Sequence, residues 1–388
     1  PLGHGREEII SAVTNQLRKL DYAQPFQQGF GGSFELATKI SKHTPGNLNR
    51  IFYTICGSTA VETAIKIAVA YHKARGEGHR YRFVGRERAY HGMNIGATSV
   101  GGMVNNVKAF ASVMMPGVLH MRHTHLPEHK FVIGQPDTGV EMAEDLERIA
   151  MNFGGENIAA CIVEPIAGST GTLVPPKGYL KRIREICDKH GILLIFDEVI
   201  TGWGRTGSAF ASQEFGVTPD MITMAKATTN GVIPMGVVAV KEEMYDAVLD
   251  SSKNPEGTPE LFHGYTYSGI PAAVAAGLAV QDIFDKEDIF NRAKKMSPYF
   301  QDGLHSLKDL KEVVSIRGYG MMGGVEMRMK EKPGKAGFQT FKHCYDAGVN
   351  FKNTGDTLII APQFICEKKH IDEIIEKLRK GISNYTKS

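Results

Sequence analysis

One stretch, from Ile192 to Lys226, constrains this chain more than any other. It reads ILLIFDEVITGWGRTGSAFASQEFGVTPDMITMAK. The apolar run Ile192–Phe196 suits a buried strand. Asp197 and Glu198 stand where that run ends, and a Gly-rich turn follows. A second short run, Asp220–Ala225, then delivers Lys226. A carboxylate and a lysine therefore sit near the ends of two strands. A lysine lodged among apolar residues loses its proton more readily and becomes a usable nucleophile and base. A plainer reading is that Asp197 and Glu198 finish one strand and Lys226 caps another. Spacing alone leaves both open.

The functional reading has a defined chemistry. Pyridoxal phosphate needs an amine to hold its aldehyde and an acid facing its pyridine nitrogen, so that the ring stays protonated and draws in electrons. The block resembles the signature of class III (omega-amino-acid) aminotransferases, a DEV-x-x-G-x-G-R-x-G segment leading to the cofactor lysine. The similarity runs over nearly the whole chain. It implies that Asp197 pairs with the ring nitrogen, Val199 packs on the ring, and Lys226 binds the cofactor covalently.

With 388 residues the chain is long enough for a large domain plus a smaller one. A net charge of +3 gives no reason to expect nucleic acid or a membrane surface. The five cysteines are scattered without a C-x-x-C pair, which argues against a disulfide framework or a zinc site and for a reducing compartment. No run is apolar for the ~18 residues a membrane helix needs. The segment Gly3-His4-Gly5 resembles one that in the family follows a longer N-terminal stretch. That stretch lends an aromatic residue to the substrate pocket, and it is expected ahead of residue 1.

Helical periodicity covers Glu7–Leu20 and Phe34–Lys42, with a Gly-rich loop at 27–33 between them. Strands are expected at Arg50–Ile55, Tyr81–Val84, Ala159–Val163, Ile192–Phe196, Met221–Met224 and Gly236–Val240. Helices are expected at Ala60–Ala74, Met142–Met151 and Gly178–His190. Strand and helix in alternation predict an α/β fold with a mostly parallel sheet flanked by helices. From about residue 286 the texture changes to helices Lys286–Leu307, Lys335–Ala347 and Lys369–Tyr385 with strands Gly323–Met327 and Thr357–Ala361. The expected division is an N-terminal segment 1–30, a large cofactor domain 31–285 and a small α+β domain 286–388. The resemblance implies the fold-type-I pyridoxal-phosphate transferase architecture.

Gly57-Ser58-Thr59 lies between a strand and a helix, where free N–H groups and the helix dipole favour phosphate. A plain capping box, Ser or Thr with Glu62, fits equally. In the family this junction holds the cofactor phosphate, so Gly57, Ser58 and Thr59 inherit that role. The family usually has Ser where this chain has Cys56, and often Glu at Thr59. Tyr90-His91-Gly92 resembles the YHG segment whose aromatic lies over the ring, which makes Tyr90 and His91 cofactor contacts. Glu164 ends a strand at the edge where such folds bind ligands; the resemblance places it beside the ring. His263–Gly269 resembles H-G-[FY]-T-Y-S-G, through which Tyr265 and Thr266 would reach a partner's cofactor phosphate in a homodimer with shared sites.

Two features read as decoys. Gly202–Gly207 fits G-x-G-x-x-G, but no acid follows at the distance a dinucleotide site wants. His120, His123, His125 and His129 cluster in a polar loop with Glu128, a solvated loop rather than a metal site. At the substrate end, Ile359 stands where one family branch has a carboxylate-binding arginine. Lys352 stands where the omega-amino-acid:pyruvate branch has its arginine; lysine keeps the charge and loses the planar fork. An ordinary surface lysine is the competing reading. Trp203, where the family usually has phenylalanine, is expected to wall the pocket.

The resemblance thus implies a cytoplasmic, pyridoxal 5'-phosphate-dependent transaminase moving an amino group from an ω-amino acid or amine (β-alanine- or taurine-like) to pyruvate. An aminomutase or decarboxylase of the same fold, and a cofactor-binding regulatory domain, are the alternatives. No helix-turn-helix or basic arm supports the last.

Overall fold

The computed structural model of the chain describes residues 1–252 and 260–387. Its larger sheet contains β1 (Arg50–Thr54), β2 (Arg82–Arg86), β3 (Val118–Met121), β4 (Ile158–Val163), β5 (Leu193–Asp197), β6 (Met221–Met224) and β7 (Gly236–Val240). They lie in the order β1-β7-β6-β5-β4-β2-β3. Of these strands only β7 runs against its neighbours, β6 and β1.

The strands β4 to β7 are buried residue by residue. Their continuous apolar runs are what a sheet covered on both faces requires. Alternation then sorts the side chains. On β5, Leu194 and Phe196 join Ile183 and Ile186 of helix Tyr179–His190 in one core layer. Leu193 and Ile195 join Val61 and Ala64 of helix Gly57–Ala74 in the other. Asp197 follows the parity of Ile195 and Glu198 that of Phe196. The adjacent acids are therefore sent to opposite sides of the sheet.

The smaller sheet is antiparallel, with β8 (Val313–Tyr319), β9 (Met322–Met327), β10 (Lys352–Thr354) and β11 (Thr357–Ile360) in the order β10-β11-β9-β8. Helices Ile289–His305, Lys335–Asp346 and Lys368–Lys387 accompany it. The N-terminal helix Glu7–Lys19 packs on helix Pro271–Lys286 of the large lobe. Arg6 anchors its start by ion pairs to Glu8 and Glu287.

The structure differs from the sequence expectation at several elements. The strands β3, β8 and β10 were not expected. The first is four residues long, and the last reads Lys-Asn-Thr with no apolar signal. Helix Gly31–Ser41 begins inside the stretch expected as loop. Helix Gly57–Ala74 begins at Gly57 rather than Ala60.

One glycine fixes how the edge of the sheet meets that helix. A Cβ at Gly236, on β7, would lie 2.2 Å from the Cys56 carbonyl oxygen and 2.3 Å from Thr54 Oγ1. Gly236→Ala is expected to destabilise the fold by about 1–3 kcal/mol, the usual cost of overpacking against backbone. Thermal denaturation against wild type measures it, and an unchanged midpoint would mean that the Thr54–Cys56 turn yields freely.

Candidate active site

Several strands end at the same edge of the large sheet. Asp197 ends β5, Glu164 follows β4, and Lys226 follows β6 after Ala225. Cys56-Gly57-Ser58 follow β1 and open a helix, and Tyr90-His91-Gly92 follow β2. All of these residues line one cavity of about 550 Å³, together with Val199 and, from the small lobe, Lys352. Sheets of this class bind ligands at that edge.

The carboxylates are held differently. Asp197 accepts a hydrogen bond at Oδ2 from His91 Nδ1 (2.8 Å) and at Oδ1 from the Val199 N–H (3.1 Å). His91 is buried, and its Nε2 has no hydrogen-bond partner among the described residues. Glu164 accepts from the Tyr90 N–H (2.9 Å) and the Gly168 N–H (3.1 Å). Burial pushes its carboxyl pKa up, and the nearby Asp197 charge adds to that while His91 opposes it. Glu198 faces away from the cavity. It accepts from the Ala211 and Ser212 N–H groups and from Thr201, and burial pushes its pKa up to about 7.

The Lys226 side chain stands in the cavity, accessible to solvent yet hemmed in by its walls. Desolvation by those walls lowers its pKa; Asp197 and Glu164 oppose that, and Lys352 adds to it. Its backbone is left-handed, at φ +40°, an unfavourable region for a side-chain-bearing residue. The 3-10 turn Lys226–Thr229 begins there.

At the other end of the cavity, Gly57 and Ser58 head a helix of 18 residues. A Cβ at Gly57 would lie 3.1 Å from both Val199 methyls, and one at Gly92 would lie 2.5 Å from Ser58 Oγ. Bare backbone keeps this corner open. Thr59 is a correction to the sequence reading. Its hydroxyl accepts from the Cys56 N–H (2.9 Å) and donates to the Cys56 carbonyl (2.9 Å), so it caps the helix beneath the cavity and does not line it. Glu62, the expected capping partner, instead accepts from the Ala97 N–H (3.0 Å).

Trp203 is a second correction. It is 1% exposed and absent from the cavity wall. Its ring stacks on Phe284 at 5.6 Å and lies 5.0 Å from Phe210, so the turn after β5 directs the indole into the core. Nε1–H donates to Thr228 Oγ1 (3.0 Å), which supports the Lys226 turn from behind. Tyr265 and Thr266 lie outside the cavity of their own chain; Thr266 is exposed, and Tyr265 lines a separate pocket with Phe26 and Tyr53. Ile200, Ile233 and Met235 also line the main cavity and went unmarked in the sequence, since apolar residues after strands carry no chemical signature. Thr354 donates to the Ser169 carbonyl (2.8 Å), holding β10 beside the site. Arg205 points elsewhere, donating to the Met321 and Pro362 carbonyls (2.8 and 2.7 Å).

These residues fit pyridoxal phosphate. The first N–H groups of a helix have no intrahelical acceptor, and here they face a corner that glycines keep clear. An amine stands at the far end, Val199 and Tyr90 offer apolar walls, and Asp197 offers an oriented carboxylate.

Comparison with known proteins agrees. Residues 1–382 match the family "Aminotransferase class-III". An omega-aminotransferase of Caulobacter vibrioides is 48% identical over 380 residues, covering 97% of this chain and 86% of the relative. A beta-alanine–pyruvate aminotransferase of Pseudomonas aeruginosa is 42% identical over 383 residues, covering 98% and 85%. The crystal structure of the omega transaminase from Pseudomonas jessenii in complex with PMP is similar at a TM-score of 0.93 and 29% identity, covering 99% of this chain and 86% of that one. The chain belongs to the class III aminotransferases and is a pyridoxal-phosphate-dependent transaminase.

Proposed function

We propose that this transaminase takes an amino group from an ω-amino acid or simple amine and gives it to pyruvate, the first product leaving before the acceptor enters. The observation that carries the reading is one cavity holding the Lys226 amine, the Asp197 carboxylate and a second amine, Lys352, brought by the small lobe. The named substrates of the Pseudomonas aeruginosa relative support the same donor and acceptor classes.

The chain's own residues take distinct roles. Gly57 and Ser58 would hold the cofactor phosphate at the helix start, and Val199, Tyr90 and Glu164 would line the space for its ring. Asp197, oriented by His91 and the Val199 N–H, keeps a proton on the ring nitrogen. Pyridoxal phosphate, when bound, supplies the electron sink. Lys226 would hold it through Nζ, and the freed Nζ amine is the base placed to move the proton of the donor carbon that bears nitrogen. The lowered Lys226 pKa favours the neutral amine this needs. Lys352 faces the acid group of donor and acceptor.

The active form is a homodimer in this reading. Tyr265 and Thr266 lie outside their own chain's cavity, which suits a role at a partner's phosphate site. The compartment is the cytoplasm, supported by cysteines that are all free. No helix among the described residues is long and apolar enough to cross a membrane. The domain division is read near 285/286; helix Pro271–Lys286 ends there and the chain turns at Glu287–Asp288, where φ reaches +48°.

Lys226→Ala is expected to abolish turnover with the fold intact and to remove the visible absorbance of lysine-bound cofactor. A retained band would move the anchor to another lysine. Asp197→Asn should keep the cofactor and lose several kcal/mol of barrier reduction, an order of magnitude typical for removing an electrostatic partner. Near-normal kcat would sink the ring-nitrogen role. Lys352→Met has two readouts. Lys352 is exposed, so its contact with an acid group is worth up to about 1 kcal/mol, or a two- to fivefold rise in KM for β-alanine or taurine. A neutral amine should be unaffected. Removing this neighbouring positive charge also raises the Lys226 pKa, so covalent capture of pyridoxal phosphate by apoenzyme should need a higher pH. If both readouts stay unchanged, Lys352 is a surface lysine.

A further inference from the structure

The turn that presents Lys226 is clasped from outside the cavity, and the clasp runs through one side chain. Asn230 closes the turn Lys226–Thr229 in left-handed backbone, at φ +53°. The Gly231 N–H donates to the Lys226 carbonyl (2.9 Å) and the Asn230 N–H to Ala227 (3.1 Å), so Asn230 is locked to the same turn. Its carboxamide faces away from the cavity. Oδ1 accepts from the Leu2 N–H (2.9 Å), and Nδ2–H donates to the Gly3 carbonyl (2.9 Å). A carboxamide offers one acceptor and one donor on adjacent atoms, the same pair an extended neighbouring strand would offer. Leu2 and Gly3 are buried.

The same segment also touches the small lobe. The Phe364 N–H donates to the Pro1 carbonyl (2.8 Å), and a Cβ at Gly3 would lie 2.6 Å from Ile365 Cδ1. The Arg205 guanidinium lies 4.4 Å over the Phe364 ring and bonds the Pro362 carbonyl, so the loop 362–365 is held to the large lobe as well. Residues 1–3 therefore form a strap between that loop and the lysine turn.

We propose that Asn230 is the positioning residue for Lys226, fixing the strained turn by binding the strap 1–3, and through the strap making the lysine's placement depend on the small lobe. The inference rests on Lys226 being the cofactor lysine. Lys226 at φ +40° persists only if its surroundings over-determine it. Trp203 Nε1 on Thr228 supplies one support and Asn230 a second. Placement matters for a proton-transferring amine: a shift of about 1 Å in a reacting group costs up to ~100-fold.

The test separates backbone from side chain. Asn230→Gly keeps the left-handed conformation available and removes both strap bonds. Asn230→Asp keeps the acceptor for the Leu2 N–H and loses the donor to Gly3. Wild-type, Gly, Asp and Lys226→Ala holoenzymes are compared by melting temperature, by pH titration of the lysine-bound cofactor absorbance, and by kcat and KM for β-alanine. The expected result for Asn230→Gly is a folded holoenzyme whose absorbance titration moves by at least about 0.5 pH unit and whose kcat falls about 10- to 100-fold with KM within about threefold. The Asp variant should lie between it and wild type. A lower melting temperature with unchanged titration and kcat would overturn the proposal, leaving Asn230 a structural residue. A lysine-bound absorbance surviving in Lys226→Ala would instead overturn the assignment of Lys226 itself.

Discussion

The constraint on which this structure depends is a lysine amine held among protein walls beside two carboxylates. Lys226 cannot be surrounded by apolar surface without losing affinity for its proton, nor set beside Asp197 and Glu164 without regaining some. The sheet reaches that balance by geometry. β4, β5 and β6 are adjacent, parallel and buried along their length, so the residues just past their ends converge on one edge. The strict alternation along β5 then sends Asp197 into the site and Glu198 out of it. Glu198 meets the N–H groups of Ala211 and Ser212, which gives its buried carboxyl hydrogen-bond donors away from the cofactor cavity.

Backbone conformation carries as much of the site as charge does. Gly57 and Gly92 keep open a corner that a methyl group would crowd from two directions, against Val199 and Ser58. Lys226 itself occupies left-handed space, and its turn is braced by Trp203 from the core and Asn230 from the strap. Strain of this kind costs on the order of 1–3 kcal/mol and needs support elsewhere. The support comes from residues that touch no substrate, which explains why Trp203 belongs to the core and still bears on the lysine.

The sequence made the large lobe legible because buried parallel strands are long apolar runs with chemistry at their ends. Asp197, Glu164, Lys226, Gly57, Ser58, Tyr90, His91 and Val199 could all be marked as cavity residues from motif and position, and they line one cavity. Two placements were not legible. Thr59 sits beside the glycine and serine that a phosphate site wants, but its hydroxyl is taken by the backbone of Cys56. Trp203 follows the cofactor strand closely, and only the path of the turn decides which way an indole points. The strap was hidden for a different reason: Leu2 and Asn230 are joined by a side chain bonding to backbone across more than half the chain, and no local pattern announces such a bond.

The two lobes divide the work, and their junction explains how the division holds. The large lobe fixes the lysine, the acid and the helix start. The small lobe brings Lys352 on an edge strand only three residues long, paired on one side with β11. That strand is pinned by Thr354 to the Ser169 carbonyl, while Arg317 donates to the Gly171 carbonyl (2.7 Å) from the sheet interior. The loop 169–171 thus takes both bonds, and Ser169 itself lines the cavity. A substitution at Lys352 therefore leaves those two bonds in place, although its charge still bears on the Lys226 amine. The strap and Arg205 tie the lysine turn and the loop 362–365 together, so under the proposed role of Asn230 a displacement of the small lobe would be felt at Lys226.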